Sequence, residues 1–64
     1  SRPRDEFEAL RLGQFSLPEH VASVEQAAIR TALELEQGVK AKAALRLGIK
    51  RTTLVEKMAK YGMA

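Results

Sequence analysis

Cysteine is absent from this 64-residue chain, and histidine occurs once, at His20. No disulfide can form and no set of metal ligands is available, so the two staples that small domains commonly use are both closed to it. Missing cysteine also fits a reducing compartment such as the cytoplasm. No apolar run approaches the ~20 residues that cross a bilayer, and no secretory signal opens the chain, so no membrane partner is expected. Strand signals are lacking as well. Alternation never persists and β-branched residues are scattered, which leaves helix as the only regular structure. Catalytic groupings are missing too: Glu25, Glu34 and Glu36 share a helical segment with no nucleophile or histidine partner. Neither enzymatic activity nor a cofactor, metal or small-molecule ligand is expected.

A chain this short forms one domain at most and buries only roughly 60% of its unfolded surface, which leaves a single copy marginally stable. With disulfide and metal excluded, the missing stability comes from very good helix packing or from a second copy, and the second copy is the expectation. The chain opens Ser1-Arg2-Pro3-Arg4 without methionine, as a piece of a longer protein would, and residues 1–4 read as a linker remnant.

The net charge of +3 hides a division. Residues 1–38 carry four basic and seven acidic side chains, a net of −3, whereas residues 39–64 carry seven basic side chains against Glu56 alone, a net of +6. A basic half joined to an acidic half implies that one end meets a polyanion. A solvated, lysine-rich surface is the alternative on charge alone.

Gly13, Gly38, Gly48 and Gly62 each follow an apolar-periodic segment, where a left-handed helix cap is expected. Asp5-Glu6-Phe7-Glu8 has the form of a capping box and opens a short helix over residues 5–12, which needs contacts through Phe7, Leu10 or Phe15 to persist. Ser16-Leu17-Pro18-Glu19 repeats the box, with the proline in the first turn where its missing N–H is harmless. A long helix then runs to about Gln37. At about 100° per residue, Leu17, Val21, Val24, Ala28, Ala32 and Leu35 fall in one arc. Ala22, Ile29 and Leu33 form another, separated from the first by Glu25 and Glu36. Two apolar arcs imply two partners, the chain's own remainder and a second chain. Val21, Val24, Ala28, Ile29, Ala32 and Leu33 are the candidate interface of a homodimer. A central helix wrapped on both sides within a monomer is the open alternative. Residues 5–38 thus read as a helical dimerisation region within one all-α domain.

Residues 39–64 read as two shorter helices, 39–47 and about 50–61, joined across Gly48-Ile49. In KAKAALRLGIKRTTLVEKM, Ala44 is the small residue where two backbones meet, and Gly48 supplies a positive φ four positions later. Ile49 plugs the corner and Leu54 anchors the last helix inward, with Met58 and Tyr61 on the same face. The pattern predicts a helix-turn-helix. The last helix then turns Thr52, Thr53, Glu56 and Lys60 outward, with Lys57 at the edge and Lys50 and Arg51 at its start. Arg pairs with guanine, Thr reaches phosphate or a thymine methyl, and Glu accepts from cytosine N4, so this face suits the major groove of double-stranded DNA. Lys40, Lys42 and Arg46 on the preceding helix suit phosphates, which fix register without reading sequence. His20 has no second ligand and reads as a surface residue near a helix start. Tyr61 reads as packing rather than as a base-stacking platform.

Residues 24–63 resemble the Fis-type DNA-binding domain at the C-terminus of NtrC-type, sigma-54-dependent bacterial enhancer-binding proteins. The resemblance is carried by VEQAAIRTAL, by Gly38, and by AALRLGIKRTTLVEKMAKYGM. RTTLVEKM with KYGM is most similar to regulators of flagellar genes. The resemblance implies a transcriptional activator whose DNA-binding domain dimerises through the long helix and the one before it, and a parent protein with an ATPase module and often a receiver. By position it places Arg51 and Thr53 as DNA contacts at the start of the recognition helix, and Lys57 and Lys60 as backbone contacts. Lys50 departs from the family where a capping Ser or Asn is common, and Val55 and Glu56 stand at positions that are basic in Fis. A helical dimerisation or docking module with no specific DNA recognition is the competing class, and it leaves the +6 half unexplained.

Overall fold

A computed structural model describes the backbone of residues 3–63 and the side chains of residues 6–63. Four helices follow in order: α1 Pro3–Arg11, α2 Leu17–Leu35, α3 Lys40–Leu47 and α4 Arg51–Lys60, with no strand among the described residues. The all-α expectation holds. Two boundaries differ. α1 begins at Pro3, so Asp5 stands inside the first turn and is not its N-cap, and Pro3 and Arg4 belong to the helix and not to a linker. Proline needs no hydrogen-bond acceptor at a helix start, which lets α1 begin that early. Ser1 and Arg2 lie outside the described residues. α2 does start as the capping pattern predicts: Ser16 Oγ accepts the Glu19 N–H at 3.3 Å, with Pro18 in the first turn.

All four helices close alike. The amide after the left-handed residue reaches back five positions, as in Gln14 to Ala9 (2.8 Å), Gly38 to Leu33 (2.8 Å), Ile49 to Ala44 (3.1 Å) and Met63 to Met58 (2.8 Å). This Schellman closure satisfies carbonyls that the helix end leaves open. Three helices place a glycine at the left-handed position; α2 does not. There Gln37 takes φ 55°, and Gly38, the expected cap, follows at φ 84°. The hydrogen-bond register decides this, because α2 ends at Leu35 and the 5→2 bond runs from Gln37 to Glu34 (3.2 Å).

The core is small and sits where α2, α3 and α4 meet. Ile29 and Ala32 from α2, Ala43 and Ala44 from α3, and Leu54 and Met58 from α4 are buried, with Leu33, Leu47, Ile49, Tyr61 and Met63 packed around them. The elbow residues therefore stand where the sequence pattern puts them. The two arcs of α2 resolve differently from the expectation. Ile29 and Ala32 (2% and 4% exposed) lie in the chain's own core and Leu33 is half-buried beside it, so these three do not form a free face. Val21, Val24 and Ala28, with Leu17 and Leu35, do stay exposed. Glu25 and Glu36, which look like separators, lie in the middle of the face turned to α3 and α4 and are hydrogen-bonded there. Ala32, at the border of the first arc, is drawn inward with them.

α1 is held mainly at the α1–α2 corner. His20 Nε2 lies 3.6 Å from Glu6, and its ring stands 5.4 Å from that of Phe15. Phe7 and Leu10 remain 67% and 61% exposed, so the large apolar side chains of α1 find little cover among the described residues. The radius of gyration, 14.1 Å, exceeds the ~11 Å of a compact chain of this length. No described helix is long and apolar enough to cross a membrane.

The caps give opposite mutational signs. A side chain in the left-handed region costs about 1–2 kcal/mol, partly offset because glycine loses about 0.5–1 kcal/mol more entropy on folding. Gly48 has φ 71° and open space where a Cβ would stand, so the cost there is conformational alone. Gly48→Ala is expected to destabilise by about 1 kcal/mol and Gln37→Gly to stabilise by about 0.5 kcal/mol. Denaturant titration at one fixed protein concentration reads both, and equal signs would contradict the cap assignments.

Candidate nucleic-acid interface

Leu54, fully buried, and Met58 fix which side of α4 faces the core. By helical geometry the opposite side carries Thr52, Glu56 and Lys60, all exposed, with Arg51 exposed at the helix start and Lys50 exposed before it. Thr53 and Lys57 are half-buried on the flank. On α3, Lys42 and Arg46 stand one turn apart and exposed, whereas Lys40 is half-buried in a groove with Val55, Met58, Ala59 and Gly62. The structure thus gathers Arg51, Thr52, Glu56 and Lys60 on one presented helix with Lys50 at its N-cap, and Lys42 and Arg46 on its neighbour.

The helix starts differ in a way that bears on anions. α2 is capped by Ser16 and has Glu19 in its first turn. α3 and α4 begin at Val39 and Lys50 with no side-chain cap and no acid in the first turn. Their first amides are left to solvent or an external acceptor, and the positive ends of both helix dipoles add to Lys40, Lys42, Lys50 and Arg51. Phosphate suits such a place.

Two candidate phosphate contacts are already engaged within the chain. Arg46 Nε donates to Glu36, the C-cap of α2. Lys57 Nζ donates to both carboxylate oxygens of Glu25, at 3.1 and 3.2 Å, and the Tyr61 hydroxyl donates to Glu25 Oε1 at 2.5 Å. Lys60 Nζ stands 5.4 Å from the centre of the Tyr61 ring. Tyr61 therefore packs on the core and is hydrogen-bonded to α2, away from the exposed face of α4. Sequence reasoning missed the roles of Glu25 and Glu36. Their spacing carried a signal: about three turns apart, they share an azimuth between two apolar arcs, on the face the helix must bury.

Among the described residues no cluster of His, Asp and Glu could hold a metal ion. What the arrangement offers is a basic helix presented on a compact elbow, joined at a left-handed glycine to a second helix that backs it. That is a helix-turn-helix. The chain belongs to the Fis family of bacterial regulatory proteins: the family's model matches residues 20–61, well over half of the sequence. It is a DNA-binding regulatory domain. No solved structure matches it.

The Glu25 cluster has a pH signature. The Tyr61 hydroxyl first, and Lys57 second, hold the Glu25 carboxyl below the ordinary glutamate range, and the same hydrogen bond pushes the Tyr61 phenol up. A depressed carboxyl contributes stability above its unfolded pKa that is lost as pH falls through the folded one; a raised phenol contributes stability that is lost as pH rises through its folded value. Tyr61 is the only tyrosine and tryptophan is absent, so absorbance isolates the phenol. Its tyrosinate transition is expected above that of a free tyrosine, returning towards it in Glu25→Ala. Identical transitions in the two proteins would mean that the contact does not form in solution.

Proposed function

We propose that this domain reads an inverted-repeat duplex site as a homodimer, with α4 entering the major groove, and that it is the DNA-binding end of an NtrC-type, sigma-54-dependent activator of the flagellar branch. It works without catalysis of its own, in the cytoplasm where its DNA is, and the parent's ATPase lies outside these residues. The observation that carries the reading is the presentation of α4: Thr52, Glu56 and Lys60 exposed opposite buried Leu54 and Met58, with Arg51 exposed at the helix start. In this geometry Arg51 is the base reader, with Thr52 and Thr53 beside it. Lys42, Lys50 and Lys60 take phosphates, with Lys40 at the margin. Arg46 and Lys57 contribute only if they leave their carboxylates. Glu56 is the one acid on the face and acts as a repulsive filter against phosphate.

Support for pairing comes from the other half of the chain, residues 5–38, which serve as the dimerisation region. The exposed arc Leu17, Val21, Val24, Ala28 and Leu35 runs along α2, and Phe7 and Leu10 stand exposed on α1. Apolar surface left bare by a small domain marks a partner site. Residues 39–64 form the reading part, and Ile29 and Ala32 serve both parts by anchoring α2 to it.

Selection from random duplex followed by gel shift tests the DNA half of the proposal. Affinity is expected to fall with salt on a log–log slope of several units, since each phosphate contact releases about 0.9 counterion. Arg51→Ala should cost about 1–3 kcal/mol on the selected site and relax preference there. Lys60→Ala should weaken all sequences alike and lower the slope by about one. If both variants bind the selected site as the parent does, with helicity intact, α4 is not the reading element.

Sedimentation and thermal melting test the pairing. The melting temperature is expected to rise with protein concentration. Val24→Asp, on the exposed arc, should abolish that rise and yield monomer. Ile29→Asp should instead unfold the elbow, because its carboxylate would be buried among Ala32, Leu54 and Met58. A folded monomer at every concentration in the parent protein would overturn the dimer.

A further inference from the structure

The contact made by Glu25 spans more of the chain than any other described side-chain hydrogen bond, reaching from α2 to residues 32 and 36 positions further on. Its two donors, Lys57 on α4 and Tyr61 at its C-cap, stand one turn apart and so face the same way. The main helix packing runs from α2 to α3 and from α3 to α4. Across the α2–α4 gap, Glu25 and Lys57 line a small recess with Ala28, Ile29, Leu47 and Ile49. On its far side Glu25, Lys57, Lys60 and Tyr61 border an open groove with Leu17, Pro18, Val21 and Ala22. The packed core holds α4 through Leu54 and Met58, and the Glu25 cluster adds a direct polar tie from the C-terminal end of α4 to α2.

We propose that Glu25 is a positioning residue for DNA reading: by holding Tyr61 and Lys57 it fixes the angle of α4 on α2, and with it the separation of the two recognition helices in the dimer. This rests on the paired reading proposed above. A helix turned by a few degrees about a short core still enters a groove and still meets phosphates. What it loses is agreement with its partner about where the second half-site begins. Specificity for half-site spacing is therefore set by an α2 residue that touches no DNA. The same contact keeps Lys57 off the backbone, so the carboxylate trades one phosphate contact for a fixed angle.

The two donors can be separated experimentally. Tyr61→Phe removes the phenolic bond and leaves the Lys57–Glu25 pair. Glu25→Gln keeps an acceptor for Tyr61 and releases Lys57. Glu25→Ala removes both. The probes are duplexes selected by the parent protein, together with versions whose half-sites are moved one base pair apart or together, and a random duplex. Emission from the single tyrosine reports whether the contact is present.

Tyr61→Phe is expected to lower discrimination among spacings by about fivefold, the worth of one ordinary hydrogen bond, with random-duplex affinity and salt slope unchanged. Glu25→Gln should keep most of the discrimination and steepen the slope by about one per protomer. Glu25→Ala should show both effects together with brighter tyrosine emission. Discrimination that survives in Tyr61→Phe and Glu25→Ala, or a parallel loss on every duplex, overturns the positioning role. A parent protein that ignores spacing overturns the paired reading, and this proposal with it, before any variant is compared.

Discussion

Everything in this domain depends on how closely α3 can approach the helices on either side of it, and alanine sets that distance. Ala43 and Ala44 are buried on α3 and Ala32 faces them from α2, so half of the buried core residues carry a single methyl. Interaxial distance follows the side chains at the contact. Small ones let an eight-residue helix be gripped from both sides while Leu54 and Met58 fill what remains. Larger residues would move α4 outward and carry its exposed face with it. The geometry offered to DNA is thus a consequence of three methyl groups that DNA never touches.

That close approach brings a second problem with it. Seven basic side chains lie in the last 26 residues, and folding crowds them around a core too small to offset much repulsion. α2 answers with acids. Glu36 takes Arg46, and Glu25 takes Lys57 with Tyr61, both on the face that also supplies Ile29 and Ala32. Partly exposed pairs of this kind add little stability. Their effect is directional: they fix how the basic helices sit on α2 and leave Lys42, Lys50, Arg51 and Lys60 exposed. The acidic half of the chain is therefore part of the basic half's architecture, and the charge division seen in the sequence becomes a contact in the fold.

Much of this is legible in the sequence, for reasons that can be named. Ser16 and Pro18 announce the start of α2 because a cap and a missing donor act within a few residues. Gly48, Ile49 and Leu54 announce the elbow because a left-handed turn, a plug and an anchor have fixed offsets. What stayed hidden depends on hydrogen-bond register or on tertiary partners. Gln37, and not Gly38, takes the left-handed cap because α2 ends one residue early. Ile29 and Ala32 look like candidates for a partner's surface until α3 and α4 are in place to cover them. The exposed face of α4 was legible because burial of Leu54 and Met58 fixes its opposite side; the engagement of Lys57 was not, because its partner is 32 residues away.

The dimer question returns to the same arithmetic of small side chains. A core in which three of six buried residues are alanine removes little apolar surface from water, because burial stabilises by about 25 cal/mol per Å² and a methyl offers few Å². The conformational entropy of ordering four helices is not small. Meanwhile Leu17, Val21, Val24 and Leu35 stand bare on a nineteen-residue helix, and Phe7 and Leu10 on another. An architecture that spends its largest apolar side chains outside its own core has reserved them. The alanines that let α3 come close and the exposed arc are therefore linked: close packing at the elbow fixes how α4 is presented, and the stability it forgoes is what the proposed second copy would recover by covering α1 and α2.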